Sequence, residues 1–391
     1  MAPFCGAIFL ISDKKSTQYQ TGMTMRTFLR RLLLKPVLWL SARYSSKPDR
    51  QRVFAALSAL LAKIVNGDQK KGLVIPFDLN TGRFVIFSDQ HKGCRDGADD
   101  FMLCEPNYLA ALEYYHQKGF HYIALGDCEE LWENLWPSVK KAQKPSFEKE
   151  KQFIPRNAFI KIFGNHDLFW DNDPFAPMQL KEVYGTDLPI YEGVVLQTTV
   201  RGKTISIFCT HGHQGDEASD GNWFSKWFVS RVWAPLQAYL QINPNTPAYD
   251  ASLKTLHNSL MYEWSAQQQD LFLITGHTHQ PVFEALTHIE RLYRQLLFAR
   301  QINDPEMITA LQDEIKRRKF EYTNVSEDYL KLKPTYFNSG CCCYSDGDIT
   351  GIEIEENCFR LIKWHSKDGA PHRIVLEESP LEELVENASK K

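Results

Sequence analysis

The 391-residue sequence has no apolar run of about 18 residues, so a membrane-spanning helix is not expected. Its formal net charge of −3 argues against a dedicated binder of duplex DNA, which usually carries a strongly basic face. The nine cysteines show no C-x-x-C spacing, which disfavours a structural zinc finger, and reduced thiols favour a cytoplasmic location. Apolar residues nevertheless make up 43% of the chain, which is enough for a globular protein with a buried core.

One segment departs from the nearly neutral average. Residues 25–52 carry eight basic side chains and one acidic side chain, and their apolar residues recur at helical spacing. Pro36 is expected to kink or break this basic amphipathic helix. One interpretation is peripheral contact of residues 25–48 with the inner face of a membrane. The other is a helix that packs on the protein's own core.

Changes in composition divide the chain into four predicted parts. These are an extension expected to be disordered at 1–24, a basic helical segment at 25–75, a main domain at 76–370 and an acidic tail at 371–391. Two insertions in the main domain are predicted to be helical, an aromatic-rich cap at about 217–268 and a charged hairpin at about 285–332.

Five apolar runs rich in β-branched and aromatic residues predict buried strands, and each is followed directly by polar residues. In chain order, the polar motifs are D-x-H at Asp89, G-D-x-x-E at Gly126, G-N-H-D at Gly164, H-G-H at His211 and G-H-T-H at Gly276. In open α/β sheets, ligands gather beyond this edge of the strands. The sequence therefore predicts that the five motifs meet in one site.

This ordered set of motifs resembles the calcineurin-like metallophosphoesterases over roughly residues 83–285, with closing strands near 335–364. The resemblance implies an α/β fold, a four-layer α-β-β-α sandwich of two mixed sheets. A helical cap between the H-G-H and G-H-T-H motifs is similar in placement to that of the cap-bearing UDP-diacylglucosamine pyrophosphatases.

The resemblance also implies a centre of two divalent metal ions. One ion would be held by Asp89, His91 and His279, the other by Asn165, His211 and His277, and Asp127 would bridge them. Oxygen and imidazole ligands without a thiolate suit manganese, iron, zinc or magnesium, and manganese is favoured.

The mechanism expected for such a centre is direct in-line attack by a metal-bridging hydroxide, without a phosphoenzyme. His166 would stabilise the transition state or protonate the leaving oxygen, and Asp167 would fix the tautomer of His166. Four further residues are candidates for substrate contacts: Lys92, Arg95, His213 and Arg231. For Lys92 and Arg95 the alternative is a solvated loop, and for His213 it is a structural role beside the ligands.

The cysteines receive a less specific interpretation. The run Cys341–Cys343 follows Gly340 and is interpreted as a buried stretch of small residues rather than a metal or redox site. Cys128 lies next to the predicted bridging carboxylate and is interpreted as a small filler rather than a nucleophile.

The leading functional prediction is a dinuclear metal-dependent phosphoesterase that hydrolyses a phosphate ester or pyrophosphate. One alternative is a lipid-A-type UDP-diacylglucosamine pyrophosphatase-like hydrolase at the membrane surface, and another is a protein or nucleotide phosphatase. The substrate would be a phosphorylated small molecule or a lipid-linked compound. Nucleic acid is disfavoured because no basic segment beyond residues 25–52 stands out. A metal-free interaction scaffold is least favoured, because the ligand set is complete.

Overall fold

The computed structural model describes residues 48–96, 99–132, 134–215, 251–318 and 333–389. The predicted extension, nearly all of the segment 25–48, and the aromatic part of the cap with Arg231 lie outside these residues. Within the described ranges, no helix combines the length and the apolar character that crossing a membrane requires.

The regular elements follow one another in a mixed α/β order. The strands are β1 (Gly72–Pro76), β2 (Phe84–Phe87), β3 (His121–Leu125), β4 (Phe159–Ile162), β5 (Ile190–Tyr191), β6 (Gly193–Val200), β7 (Lys203–Thr210), β8 (Leu271–Thr275), β9 (Val282–Phe283), β10 (Leu286–Thr287), β11 (Tyr336–Asn338), β12 (Ile349–Glu355), β13 (Cys358–Lys367) and β14 (Ala370–Pro380). The α-helices are α1 (Arg50–Val65), α2 (Glu105–Gln117), α3 (Trp136–Ala142), α4 (Lys144–Lys151), α5 (Phe169–Asn172), α6 (Ala176–Tyr184), α7 (Ala251–Ser265), α8 (His288–Gln301), α9 (Pro305–Arg318) and α10 (Leu381–Ser389).

The strands form two mixed sheets of seven strands each. The first sheet has the order β14-β13-β12-β2-β3-β4-β5, in which β2 to β5 pair in parallel and β12 to β14 pair antiparallel. The second sheet has the order β1-β6-β7-β8-β11-β9-β10, with β7, β8 and β11 parallel. The parallel strands of both sheets carry the five motifs at their carboxyl ends.

The alternation of side chains along each strand separates two cores. In β2, Phe84 and Ile86 belong to an apolar cluster between the sheets, whereas Val85 and Phe87 pack in a second cluster with helices α2 to α6. On the far side of the second sheet, Phe208 packs with α1 and α7. The order of layers is therefore helices, sheet, sheet, helices, which is the predicted four-layer sandwich.

Helix α1 illustrates how local sequence sets an outer layer. Asp49 caps its amino terminus by accepting a hydrogen bond from the backbone N–H of Arg52 at 2.9 Å. Apolar residues then recur on one face and are buried: Val53, Leu57, Leu60 and Ile64. This stripe packs against β1 and β6 at the outer face of the second sheet.

The carboxyl-terminal residues differ from the predicted separate tail. Residues 371–380 belong to β14, which pairs with β13 along its whole length, and α10 follows directly. Arg373 in β14 forms an ion pair with the buried Glu353 of β12, and Leu381 and Leu384 pack in the core between the sheets. Acidic composition concealed these contacts, because the buried side chains of the segment are few and include the polar residues Glu377 and Ser379.

Candidate metal centre

Five residues of the predicted centre have positive φ although none is glycine. Asp89, His91 and Asp127 have φ of 52°, 49° and 50°, and His277 and His279 have φ of 70° and 55°. Non-glycine residues adopt such conformations infrequently, and they concentrate at functional sites. The turns after β2, β3 and β8 therefore hold their polar side chains in conformations that the surrounding contacts must stabilise.

The first group of side chains joins the turns after β2 and β8. His279 Nε2 lies 3.1 Å from His91 Nε2 and 3.3 Å from Asp89 Oδ1. Donor atoms that share one ion lie about 3 Å apart, because each is about 2.0–2.2 Å from the ion. Gly276 permits the approach, since a Cβ there would overlap the carboxylate of Asp89. These three side chains have the spacing expected for ligands of one ion.

The second group joins the turns after β3, β4, β7 and β8. His211 Nε2 lies 3.2 Å from Asn165 Oδ1 and 3.2 Å from Asp127 Oδ2. Donor atoms of Asp127, His211 and His277 all lie within 4.8 Å of one another. The same oxygen of Asp127 lies 3.8 Å from His91 Nε2. Asp127 therefore lies between the two groups, where a bridging ligand is expected.

The donor atoms fit divalent cations. Among the described residues, Nε2 of His277 is buried without a hydrogen-bond partner. An unsatisfied buried polar atom costs about 1–3 kcal/mol of stability unless a ligand binds to it. Burial opposes ionisation of Asp127, yet His211 and His166 hold the pKa of this carboxyl well below its usual range. An ionised buried carboxylate beside an unpartnered imidazole nitrogen is a donor set suited to a metal ion.

Two of the imidazole ligands have an oxygen acceptor at their other ring nitrogen. His91 Nδ1 lies 2.8 Å from Glu130 Oε2, and His211 Nδ1 lies 3.0 Å from the carbonyl oxygen of Leu125. A partner at Nδ1 places the proton there and leaves Nε2 free to bind a metal. Both Nε2 atoms face the other members of the centre.

His166 shares its acidic partner with His91. His166 Nδ1 lies 2.7 Å from Glu130 Oε2, the same oxygen that contacts His91. The ring of His166 stacks on Trp132 with centroids 4.1 Å apart. Glu130 is the last residue of the G-D-x-x-E motif, so the spacing contained a signal for this contact, although no role was predicted for Glu130.

The structure corrects the role predicted for Asp167. Its carboxylate accepts the backbone N–H of Cys128 at 2.8 Å and that of Gly164 at 2.5 Å. Asp167 therefore joins the turns after β3 and β4, while Glu130 sets the tautomer of His166. Burial and the nearby charge of Glu129 raise the pKa of Asp167 to about 6.

Lys92 fits neither of its two predicted alternatives, whereas Arg95 is partly exposed, as expected for the solvated loop. The ammonium of Lys92 is fully buried, with its Nζ 3.1 Å from Glu129 Oε1 and 2.5 Å from Glu150 Oε1. Arg95 forms an ion pair with Glu105 at 2.5 Å. Lys92 is thus unable to reach a substrate phosphate, because burying its charge requires the two carboxylates around it.

Of the remaining predicted residues, the structure describes His213 and Cys128 but not Arg231. His213 is buried beside His211, with ring centroids 5.4 Å apart, which places it next to the centre. Cys128 is buried and burial raises the pKa of its thiol well above the usual range, which agrees with a filler and disfavours a nucleophile. Arg231 lies outside the described residues.

Helix α7 holds two of the ligand-bearing turns. His257 Nε2 lies 2.7 Å from the carbonyl oxygen of Gly212, next to His211. Asn258 Oδ1 accepts a hydrogen bond from Thr278 Oγ1 at 3.1 Å, between the two histidines of the last motif. Local sequence gave no signal for these contacts, because they depend on how α7 packs on the sheet.

Three of the imidazoles favour the protonated form when no metal competes. Although burial opposes the charge, Glu130 raises the pKa of His91 to about 10, and Asp127 raises that of His211 to about 9. Burial also opposes the charge of His279, but Cys341 and Asp89 outweigh it and raise the pKa of His279 to about 9. Metal binding at neutral pH must therefore displace protons from these rings.

We expect metal loading of the metal-free protein at pH 7 to release up to three protons per chain, one from each of these imidazoles. Metal affinity should fall as the pH is lowered from 9 to 6, because protons compete for the same nitrogens. A pH-stat titration and metal-binding isotherms at several pH values measure both effects. Loading without proton release, at an affinity independent of pH, would contradict the expectation.

A known protein family matches the segment that carries the five motifs. The sequence model of the calcineurin-like phosphoesterases matches residues 82–281, which is 200 of the 391 residues. Structural comparison gives a dimetal phosphatase from Danio rerio, 6% identical, with a TM-score of 0.33 over 76% of this chain and 100% of that one. It also gives vacuolar protein sorting 29 from Cryptosporidium parvum, 12% identical, with a TM-score of 0.29 over 76% of this chain and 98% of that one. A search among curated proteins found no match.

The family match spans all five strand-end motifs, and the structure brings their side chains together at one edge of the two sheets. The chain belongs to the calcineurin-like phosphoesterase family and is a metal-dependent phosphoesterase.

Proposed function

We propose that the centre holds two divalent ions and hydrolyses a phosphate ester or pyrophosphate of a small or lipid-linked molecule. The observation that carries this proposal is the position of Asp127, whose Oδ2 lies 3.2 Å from His211 Nε2 and 3.8 Å from His91 Nε2. A single buried carboxylate within reach of both ligand groups suits a pair of ions better than two independent sites.

The residues around Asp127 would divide the two ions between them. Asp89, His91 and His279 would hold one, and Asn165 with two further imidazoles, His211 and His277, would hold the other. Two bound divalent ions would supply the positive charge that activates water and neutralises the phosphoryl oxygens.

His166 would act on the leaving group. Glu130 occupies its Nδ1, so Nε2 is the ring nitrogen left to hold a proton for the leaving oxygen. The stacked ring of Trp132 and the backbone hydrogen bond from His166 N to Asp127 Oδ1, 2.8 Å long, restrict its position. The orientation of this imidazole is therefore fixed by the protein before substrate binds.

The proposal is tested with the full chain stripped by a chelator and reloaded with one metal at a time. We expect no hydrolysis of aryl phosphate mono- or diesters by the stripped protein, and restored hydrolysis with two equivalents of manganese, iron, zinc or magnesium. Asp127→Ala protein purified in the same way reports the background from contaminating phosphatases. Failure to bind metal, or activity equal to that of the variant with every metal, would contradict the proposal.

A substrate panel then separates the classes. Phosphomonoesters, diesters, nucleotide pyrophosphates, phosphopeptides and UDP-linked lipids are compared by kcat/KM. Preference for a UDP-linked lipid in mixed micelles would favour a lipid-linked pyrophosphatase. Preference for a nucleotide or a phosphopeptide would favour a nucleotide or protein phosphatase.

A further inference from the structure

His279 differs from its neighbours in the group at its second ring nitrogen. His91 and His211 each present Nδ1 to an oxygen acceptor, a carboxylate in one case and a backbone carbonyl in the other. His279 Nδ1 instead lies 3.6 Å from Cys343 Sγ. Groups at this position usually are carboxylates, carbonyls or water, and they fix the ring and its tautomer. Sulfur is a weaker hydrogen-bonding atom than oxygen, so this ring is held less firmly.

The turn after β11 brings the thiol to this place. Gly340 has φ of 77°, and a Cβ there would overlap Thr350 Oγ1, so the turn requires glycine. Beyond this turn, the backbone N–H of Cys342 donates to the carbonyl oxygen of Asp89 at 3.1 Å. This hydrogen bond anchors the segment to the turn that carries Asp89.

The same segment also holds the backbone of His279. Tyr344 donates its hydroxyl to the carbonyl oxygen of His279 at 3.2 Å. His279 has φ of 55°, a conformation that needs such support. Cys343 and Tyr344 therefore both contact His279, the first at its imidazole and the second at its backbone carbonyl oxygen.

Access distinguishes Cys343 within the cysteine run. Cys341 and Cys342 are buried, as the sequence predicted for a stretch of small residues, whereas Cys343 is only partly buried. Cys343 Sγ also lies within 4.8 Å of donor atoms of both His91 and His279. The thiol therefore lies at the edge of the buried cysteine run and beside one ligand group.

We infer that Cys343 is a positioning residue for His279, and that loss of its side chain loosens the ion held by Asp89, His91 and His279. The inference rests on the proposed function, because it assumes that these three side chains bind a metal. Its consequence is a centre with unequal ions, one of which depends on the side chain of Cys343 for its tight binding.

Cys343→Ala is expected to release one of the two ions at a chelator concentration about 10–100-fold lower than the unchanged protein requires. Cys343→Ser keeps a hydrogen-bonding atom but holds it on a shorter bond, farther from the imidazole, so its chelator sensitivity should lie between the two. Cys358→Ala is the matched control, since Cys358 is also partly buried but lies in β13. Metal content is measured after graded chelation. Thermal unfolding of the metal-free forms is measured as well, and all variants should unfold at the same temperature as the unchanged protein if the effect is on metal binding alone.

The outcomes separate this inference from the proposed function. Two ions bound equally tightly by the unchanged protein and Cys343→Ala would overturn the inference alone, whereas no binding by either would overturn both. If cobalt-loaded protein shows a sulfur-to-cobalt charge-transfer band that Cys343→Ala lacks, sulfur is a direct ligand and the positioning role is wrong.

Discussion

Replacement of His166 by asparagine is expected to lower kcat by about 10²–10⁴-fold while both ions stay bound. The loss follows because the variant lacks the imidazole that Glu130 orients, whereas its backbone N–H still donates to Asp127. KM should change little, since the ligands of the ions are untouched. Steady-state kinetics on reloaded protein, with metal content measured on the same samples, tests the expectation.

The leaving group sharpens this test. A nitrophenolate leaves without help from an acid, but an alkoxide needs a proton, so His166→Asn should impair alkyl phosphates more than nitrophenyl phosphates. His372→Asn is the matched control, because His372 lies in the peripheral strand β14. Equal kcat for His166→Asn and the unchanged protein on both substrates would exclude the acid role. Loss of metal from the variant would instead assign the defect to the centre's assembly.

Glu130→Gln tests the carboxylate that His91 and His166 share. Its Oε2 contacts Nδ1 of His91 and of His166, so the amide is expected to weaken both metal retention and kcat. Metal content and kcat therefore fall together in this variant, whereas His166→Asn lowers kcat alone. The comparison shows whether Glu130 acts through both rings, as its geometry indicates.

The sequence was sufficient to locate the centre because strand ends are local features. Each ligand follows an apolar run directly, so β2, β3, β4, β7 and β8 could be predicted together with the residues that leave them. The bridging position of Asp127 came only from the family resemblance. Its carboxylate lies within 3.8 Å of His91 and 3.2 Å of His211, but no periodicity or spacing in the sequence specifies these distances.

The partners of charged residues could not be predicted. Lys92 looked like a phosphate ligand because it follows a ligand histidine, yet the direction of its side chain depends on the backbone bridge between residue 92 and Glu129. Lys161 gave a clearer signal, since a lysine inside a wholly buried strand requires an anionic partner. The sequence contains many acids, however, and only the packing of α4 and β4 identifies which of them pair.

A group of four buried charged side chains lies next to the turns after β2 and β3: Lys92, Glu129, Glu150 and Lys161. Glu129 Oε1 contacts Lys92 Nζ at 3.1 Å and Lys161 Nζ at 2.9 Å, and Glu150 contacts Lys92. All four side chains are at most 1% exposed. Two positive and two negative charges balance, and Trp170 donates to Glu129 at 2.8 Å. The group connects the turns after β2 and β3 to β4, which carry ligands, so its integrity also affects the site.

Lys161→Met is expected to reduce the free energy of unfolding by about 3–5 kcal/mol, because it leaves one buried carboxylate without compensation. Lys140→Met provides the matched control. Lys140 pairs with Glu182 at the surface, where the side chains are 30% and 66% exposed, and such pairs contribute under about 1 kcal/mol. Equilibrium urea denaturation of the metal-free forms gives both values.

Restoring charge balance and lowering the pH provide independent checks of the cause. Lys161→Met combined with Glu129→Gln should regain part of the lost stability, because the buried charges balance again. Despite burial, Lys161 and Lys92 lower the pKa of Glu129 from 4.5 to about 2, so the unchanged protein loses this stabilisation as the pH falls through that range. The gap to Lys161→Met should therefore narrow between pH 4.5 and 2. A gap that stays constant with pH, with no recovery in the double variant, would assign the cost to side-chain packing rather than to charge.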